Sequence, residues 1–204
     1  LGRYTEAELW LTRSVQRDSM NAEAYAYLGL ARATAGQVAT ALEACQRAVT
    51  LAPHSPRARA FLGAALALHA ANTTGLSEAT EVLQHALEEA AASAKLKECN
   101  IRERLEVLIA RGRLLTALPI KLEGGKPGQM ELREVLDRTA HATDEENGSE
   151  FPGTNALYRM HALFDLGVSA LQEGMLAEAK QWLRECINID PKSRIAERDY
   201  ELLD

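Results

Sequence analysis

Small and apolar residues recur along this chain at spacings that fit paired helices rather than strands. From Ala22 the sequence reads AEAYAYLGLARATAGQVATALEACQRAVTLAPHS, in which Tyr25, Leu28, Gly29, Gly36, Ala41, Ala48 and Pro53 punctuate a helix, a turn and a second helix. The physical logic is direct. Gly29 and Ala41 carry little or no side chain and let two antiparallel helices approach closely, Gly36 permits a tight turn, and Pro53 ends the second helix. Leu28, Leu42, Cys45 and Val49 are expected to fill the shared seam.

The pattern returns 34 residues later, where Leu62-Gly63 takes the place of Leu28-Gly29. Asn72-Thr73-Thr74-Gly75 lengthens the turn, and the second helix resumes as SEATEVLQHALEEAAAS, with Ala79, Leu83 and Ala86 in the small or apolar places. Ser77 is the expected N-cap, with Glu78 and Glu81 suiting the positive end of the helix dipole. One period back from Ala22, GRYTEAELWLTRSVQRDSMN fits a second helix alone, with Gly2 at the turn, Ala7 and Ser14 at the close contacts and Ser19 where proline would stand. Its partner helix is expected upstream. Near the other end, MHALFDLGVSALQEGMLAEAKQWLRECINIDPKS places Leu166-Gly167, Gly174, Ala179, Cys186 and Pro191 at the same offsets as the copy from Ala22.

These residues and spacings closely resemble the tetratricopeptide repeat family over most of the chain. The resemblance implies an all-α fold, a right-handed α-solenoid of antiparallel helix-turn-helix repeats running as a single segment over 1–204 with a degenerate middle repeat. Its parts would be a lone second helix over 1–20, repeats over 22–55 and 56–92, a degenerate repeat over 95–143 with a loop at 119–129, an acidic loop over 144–153, a repeat over 154–193 and a capping or continuing helix over 194–204.

The middle is where the period frays. Lys95 to Leu118 has helical periodicity, with Ile101, Leu105, Leu108, Gly112 and Leu115 on or near one side. Pro119 and the run Lys121-Leu122-Glu123-Gly124-Gly125-Lys126-Pro127-Gly128 then predict a loop, with Met130 to Ala142 as the returning helix. The acidic stretch 144–150 leads into Pro152-Gly153, after which Thr154 or Asn155 is expected to cap a helix reaching Gln172.

Composition supports helix and narrows function. The 204 residues are 47% hydrophobic and 25% charged, only 5% are aromatic, and alanine, leucine and glutamate abound. A net charge of −6 argues against a duplex-binding surface, which needs concentrated lysine and arginine. Cys45, Cys99 and Cys186 stand far apart and cannot pair completely, so no disulfide scaffold is expected. The longest stretch without formal charge, Ala60 to Ser77, has an apolar part of only about a dozen residues against the roughly 20 that cross a bilayer, and no membrane span is expected. The opening Leu1-Gly2-Arg3-Tyr4 suggests a fragment or a processed form, and the cysteine usage suits a cytoplasmic or organelle-interior location.

Catalytic spacing is missing. The sequence holds no phosphate-cradling GxxxxGK[ST], no GxGxxG and no HExxH, and Gly124-Gly125-Lys126 is followed by Pro127 rather than by serine or threonine opening a helix. His54, His69, His85, His141 and His161 form no local ligand pair, and Cys45 and Cys186 fall at inward places in second helices. Adjacent carboxylates such as Glu88-Glu89 and Glu145-Glu146 diverge on a helix or are solvated in a loop. No catalytic residue, metal ligand or cofactor is therefore expected. Lys95, Lys97, Arg102, Arg104, Arg111 and Arg113 make a basic stretch interrupted by Glu98, Glu103 and Glu106, read first as a solvated face with internal ion pairs and second as a docking face for an acidic partner or RNA.

The resemblance implies that the first helices line a concave binding surface. Carried over position by position, that groove comprises Tyr27, Leu30 and Thr34, then Arg57, Phe61, Ala64 and Leu68, then His161, Phe164, Asp165 and Val168. The set is apolar, with Tyr27, Phe61 and Phe164 as expected anchors and Arg57 as an orienting charge. Family members that grip a C-terminal carboxylate use lysine and asparagine where this chain has Ala26, Leu30 and Phe61, so a carboxylate clamp is not expected. The expected function is a non-enzymatic scaffold or adaptor that takes a peptide or helix of another protein in its groove as part of a larger assembly, the alternative being an RNA-associated repeat protein using the 95–113 helix.

Overall fold

The structure, a computed structural model, describes residues 2–97, 100–116, 125–140, 142, 143, 146, 153–191 and 202. Among the described residues there are nine α-helices and no strand, an all-α helical-repeat fold. The chain divides into two compact units, Leu1–Glu98 and Cys99–Asp204, where the sequence was read as one continuous segment.

The first unit holds α1 (Gly2–Arg17), α2 (Ala22–Thr34), α3 (Val38–Leu51), α4 (Pro56–Asn72) and α5 (Leu76–Ala94). Helices α2 and α3 form one antiparallel hairpin and α4 and α5 the next, with α1 packed on α2, α3 on α4, and α2 beside α4. Asn21 starts α2 by accepting the Ala24 N–H at 2.8 Å. Its other end closes in a turn in which Gly36 adopts φ +78°, the Gly36 N–H donates to the Ala33 carbonyl and the Gln37 N–H to the Arg32 carbonyl. Ser55 caps α4 with Pro56 behind it in the first turn. The close approach read from the sequence is real: a Cβ on Gly29 would overlap Cys45 Sγ and lie 3.1 Å from the Ala41 carbonyl oxygen. Ala41, Cys45 and Ala48 are fully buried, while Leu42 and Val49 are only half-buried at the edge of that seam. One cap differs from expectation. Helix α5 begins at Leu76, so Gly75 occupies the N-cap without a side-chain bond and Ser77 lies exposed inside the first turn.

The second unit holds α6 (Ile101–Thr116), α7 (Gly125–Ala140), α8 (Thr154–Gln172) and α9 (Leu176–Ile189). Hairpins α6–α7 and α8–α9 pack through α7 on α8, with α6 beside α8. Leu105, Leu108 and Ile109 of α6, Leu132 and Val135 of α7, and Tyr158, Ala162 and Leu166 of α8 form one cluster, and Met160, Leu163, Phe164, Leu183 and Cys186 join α8 to α9. The α8–α9 turn repeats the α2–α3 turn bond for bond: Gly174 has φ +76°, its N–H donates to the Leu171 carbonyl, and the Met175 N–H donates to the Ala170 carbonyl.

Three expectations are corrected here. The helix expected from Lys95 starts at Ile101 instead, because Asn100 caps it by accepting the Glu103 N–H at 2.8 Å. Helix α7 starts at Gly125, inside the expected 119–129 loop. Pro127 falls in its first turn, where no N–H is needed, and Gly128 is a packing residue rather than a breaker: an added Cβ would stand 2.7 Å from both the Gly112 oxygen and the Thr116 nitrogen. Helix α8 is preceded by Gly153 in the left-handed conformation, and Asn155 does not cap it but donates to the Ala142 carbonyl at 2.8 Å. The loop segment 119–124, most of the acidic loop 144–153, and the helix expected over 194–204 apart from Leu202 lie outside the described residues.

Candidate functional site

Within the first unit, α2 and α4 lie side by side and bring six of the expected groove residues onto one strip. Tyr27 and Phe61 meet edge to face, with ring centroids 6.0 Å apart. The Arg57 guanidinium lies over the Tyr27 ring at 5.2 Å and pairs with Glu23 at 2.7 Å, so one cation bridges an aromatic face and a carboxylate. Leu30, Ala64 and Leu68 are half-buried beside them, and Thr34, at the exposed end of α2, donates its hydroxyl to the Leu30 carbonyl. Phe61 departs from its expected role. Its ring is 3% exposed and packed between the helices, so it backs the strip rather than opening onto it.

Within the second unit the corresponding face is polar. Asp165, only 7% exposed, accepts from Arg113 Nε through both carboxylate oxygens, at 2.9 and 3.1 Å, and Arg113 Nη2 lies 3.3 Å from His161 Nδ1. Half-buried Val168 borders a small hollow of about 80 Å³ lined with Arg113, Thr116, Asp165, Ser169 and Gln172. Phe164, 9% exposed, packs into the α8–α9 core with Leu183 and Cys186, so it too is no open anchor. Beside this face Gln129 of α7 donates to Ser169 at 3.0 Å and to Glu173 at 2.7 Å.

Arg113 is the residue that the groove expectation missed. A signal was present in the sequence: aligning Gly112 with Gly29, Gly63 and Gly167 puts Arg113 at the position of Leu30, Ala64 and Val168. The degenerate period of the middle segment hid that register.

The other arginines of the basic stretch are paired with carboxylates of their own unit. Arg102 pairs with Glu106 at 3.1 Å, Arg104 with Glu134 at 3.1 Å, and Arg111 with Glu131. Burial pushes the Glu131 carboxyl up to about 7, outweighing the attraction of Arg111. Burial also acts to raise Glu134, but hydrogen bonds and charge from Arg138 and Arg104 hold it below the usual carboxylate range. Tyr158 donates to Glu106 at 3.2 Å, and burial together with that carboxylate raises its phenol above the ordinary value.

No nucleophile is prepared among the described cysteines. Cys45 is sealed in the α2–α3 seam, where burial pushes its thiol up to about 12, and Cys186 donates to the Met160 carbonyl in the α8–α9 core. Cys99 and His141 lie outside the described residues. Among the described residues no three histidine, cysteine or acidic side chains gather as a metal would require, and no helix is long and apolar enough to cross a membrane.

Helical hairpins packed through small residues, two of them closed by equivalent glycine turns, define a helical-repeat scaffold, and known proteins share that fold. Residues 161–193 match the family model of the Tetratricopeptide repeat. Among solved structures the chain is similar to a thermophilic TPR protein of Thermus thermophilus, at 19% identity over 100% of this chain and 92% of that one, with a TM-score of 0.70. At that identity the likeness is one of fold. No curated protein matches the chain. Residues 161–193 are thus identified as a tetratricopeptide repeat, and the chain as a whole shares the fold of a TPR protein.

Proposed function

We propose that the chain is a non-enzymatic scaffold or adaptor that holds a peptide or helix of a partner protein against its first helices, as one subunit of a larger assembly. Interaction between proteins is the general role suggested by this fold. The finer reading rests on one observation, the strip on α2 and α4. There Tyr27, Leu30, Ala64 and Leu68 are half-open, Phe61 stiffens them from behind, and Arg57 with Glu23 supplies a polar edge. Apolar contacts supply affinity, and a fixed charge pair at the rim selects orientation. The second unit, taken by itself, offers a polar face of His161, Asp165 and Val168 around Arg113, while Phe164 lies in the α8–α9 core and supplies no aromatic anchor. Because the arginines of α6 are bonded to carboxylates of their own unit, the RNA alternative loses the free basic face that motivated it.

A photo-crosslinking amino acid at Leu30 or Leu68 tests the strip against one at exposed Gln46 or Thr50 of α3. The same protein partner should be captured from the first pair at least tenfold more efficiently. Equal capture from both pairs would remove the assignment.

A further inference from the structure

The small hollow between α6 and α8 is lined by hydrogen-bonding groups that the protein itself leaves partly unused. Arg113 gives Nε to both oxygens of Asp165 and turns Nη2 toward His161 Nδ1, but its Nη1 makes no hydrogen bond among the described residues, and its side chain is 43% exposed. Ser169, 2% exposed, accepts from Gln129 at 3.0 Å and donates its own proton to no acceptor among the described residues. Gln172, exposed at the C-terminal end of α8, has a carboxamide with no partner among the described residues. Buried hydroxyls and guanidinium N–H groups are normally satisfied, so unused donors gathered on one hollow point to a group that arrives from outside.

Charge and size decide what that group is. Arg113 and Asp165 cancel one another, and the Glu173 carboxylate is tied to Ser169 through Gln129, which donates to both. A partner carboxylate would therefore enter beside two anions, and a partner ammonium would face the Arg113 guanidinium; a neutral group meets neither penalty. That group must accept, because Arg113 Nη1 and the Ser169 hydroxyl are donors, and it gains by donating, because the Gln172 carboxamide oxygen is free. A hollow of about 80 Å³ equals the liquid share of roughly three water molecules, room for the head of one side chain and not for a helix.

We infer that this hollow is a specificity pocket for one asparagine or glutamine carboxamide of the partner, an assignment that rests on the reading of the chain as a peptide-holding adaptor. The carboxamide oxygen accepts from Arg113 Nη1 and the Ser169 hydroxyl, its NH2 donates to the Gln172 oxygen, and its methylene carbon lies on Val168. Asp165 acts through Arg113, holding the guanidinium by Nε so that its outer edge faces the pocket. A site built to bond a polar head rejects an analogue that cannot return those bonds. The pocket lies wholly in the second unit and the α2–α4 strip wholly in the first, so either assignment can fail without the other.

Titrating the isotope-labelled full chain with N-acetyl-glutamine methylamide, and with its glutamate and methionine counterparts, tests the pocket by NMR at the Arg113 Nε–H and Gln172 side-chain amide signals. The glutamine probe should shift both signals saturably, with a Kd at least fivefold below that of either counterpart. That preference should disappear in Arg113→Lys, which keeps a cation for Asp165 but loses the guanidinium edge, and in Gln172→Leu, an exposed change that keeps the test open should the first variant not fold. The inference is overturned if the glutamate probe binds as tightly, which would make the hollow an anion site. It is equally overturned if the methionine probe binds as tightly, which would make the contact apolar, or if no probe gives a saturable shift.

Discussion

The α2–α3 and α6–α7 hairpins both bring two helices into close contact at a glycine, but by opposite chemistry. In α2–α3 a glycine faces a cysteine and alanines, and the seam is apolar and sealed. In α6–α7 the contact is glycine on glycine, Gly128 against Gly112, flanked by Arg111 with Glu131 and Arg104 with Glu134. The first seam tolerates a small change by moving a side chain. The second is backbone against backbone and has nothing to move. Small residues therefore set the spacing in both hairpins, and the surrounding chemistry decides how brittle and how pH-sensitive each one is.

The largest effect should come from Gly128→Val. Its Cβ would press on the Gly112 oxygen and the Thr116 nitrogen at 2.7 Å, both backbone atoms, so the helices must separate. A loss of about 3 kcal/mol is expected from overpacking, read as a drop in the urea midpoint followed by circular dichroism. A loss below about 1 kcal/mol would mean that the glycine contact is not rigid.

Gly29→Ala should cost less, about 2 kcal/mol, because the worst overlap is with a side-chain atom, Cys45 Sγ. A double-mutant cycle with Cys45→Ala isolates that overlap. Once the sulfur is gone, much of the penalty at position 29 should vanish, giving a coupling of about 1 kcal/mol, whereas additive losses would show that the Ala41 oxygen limits the approach.

The charged seam adds a dependence on pH that the apolar seam lacks. Burial raises Glu131 from 4.5 to about 7, so its protonated form suits the folded state. Its contribution to stability is complete below 4.5 and is lost as pH rises through about 7. Between about pH 5 and 8 the wild-type urea midpoint should therefore fall relative to Glu131→Gln, by a difference on the order of 1 kcal/mol. Parallel pH profiles for the two proteins would place the titration elsewhere.

The same contrast explains what the sequence made legible. Around Gly29, Ala41 and Gly36, each small residue has one structural use and the uses share a fixed period, so helix, turn and seam could be read together. Around Gly125-Lys126-Pro127-Gly128 the composition reads as loop, yet proline is harmless in a first turn and the glycine is needed by a neighbour distant in sequence. At the candidate site the register identified the helix face, since Tyr27, Arg57 and Phe61 do converge. It could not identify exposure, because a large ring at a groove position can turn into the space between adjacent first helices, as Phe61 does, or into its own hairpin, as Phe164 does.

The smallest effect is also the sharpest check on repeat equivalence. Gly36 and Gly174 hold φ of +78° and +76° with matching hydrogen bonds, and an added Cβ at either meets no atom within 4 Å. Sterics with the rest of the protein therefore drop out, and only the backbone preference of an L-residue remains. Alanine at either position should cost about 1 kcal/mol, and asparagine, which visits the left-handed region more readily, should cost less. The two alanine losses should agree to within about 0.5 kcal/mol although one turn lies in each unit. A larger gap would show that the hairpins are alike in outline but that at least one turn is held by something other than its own glycine.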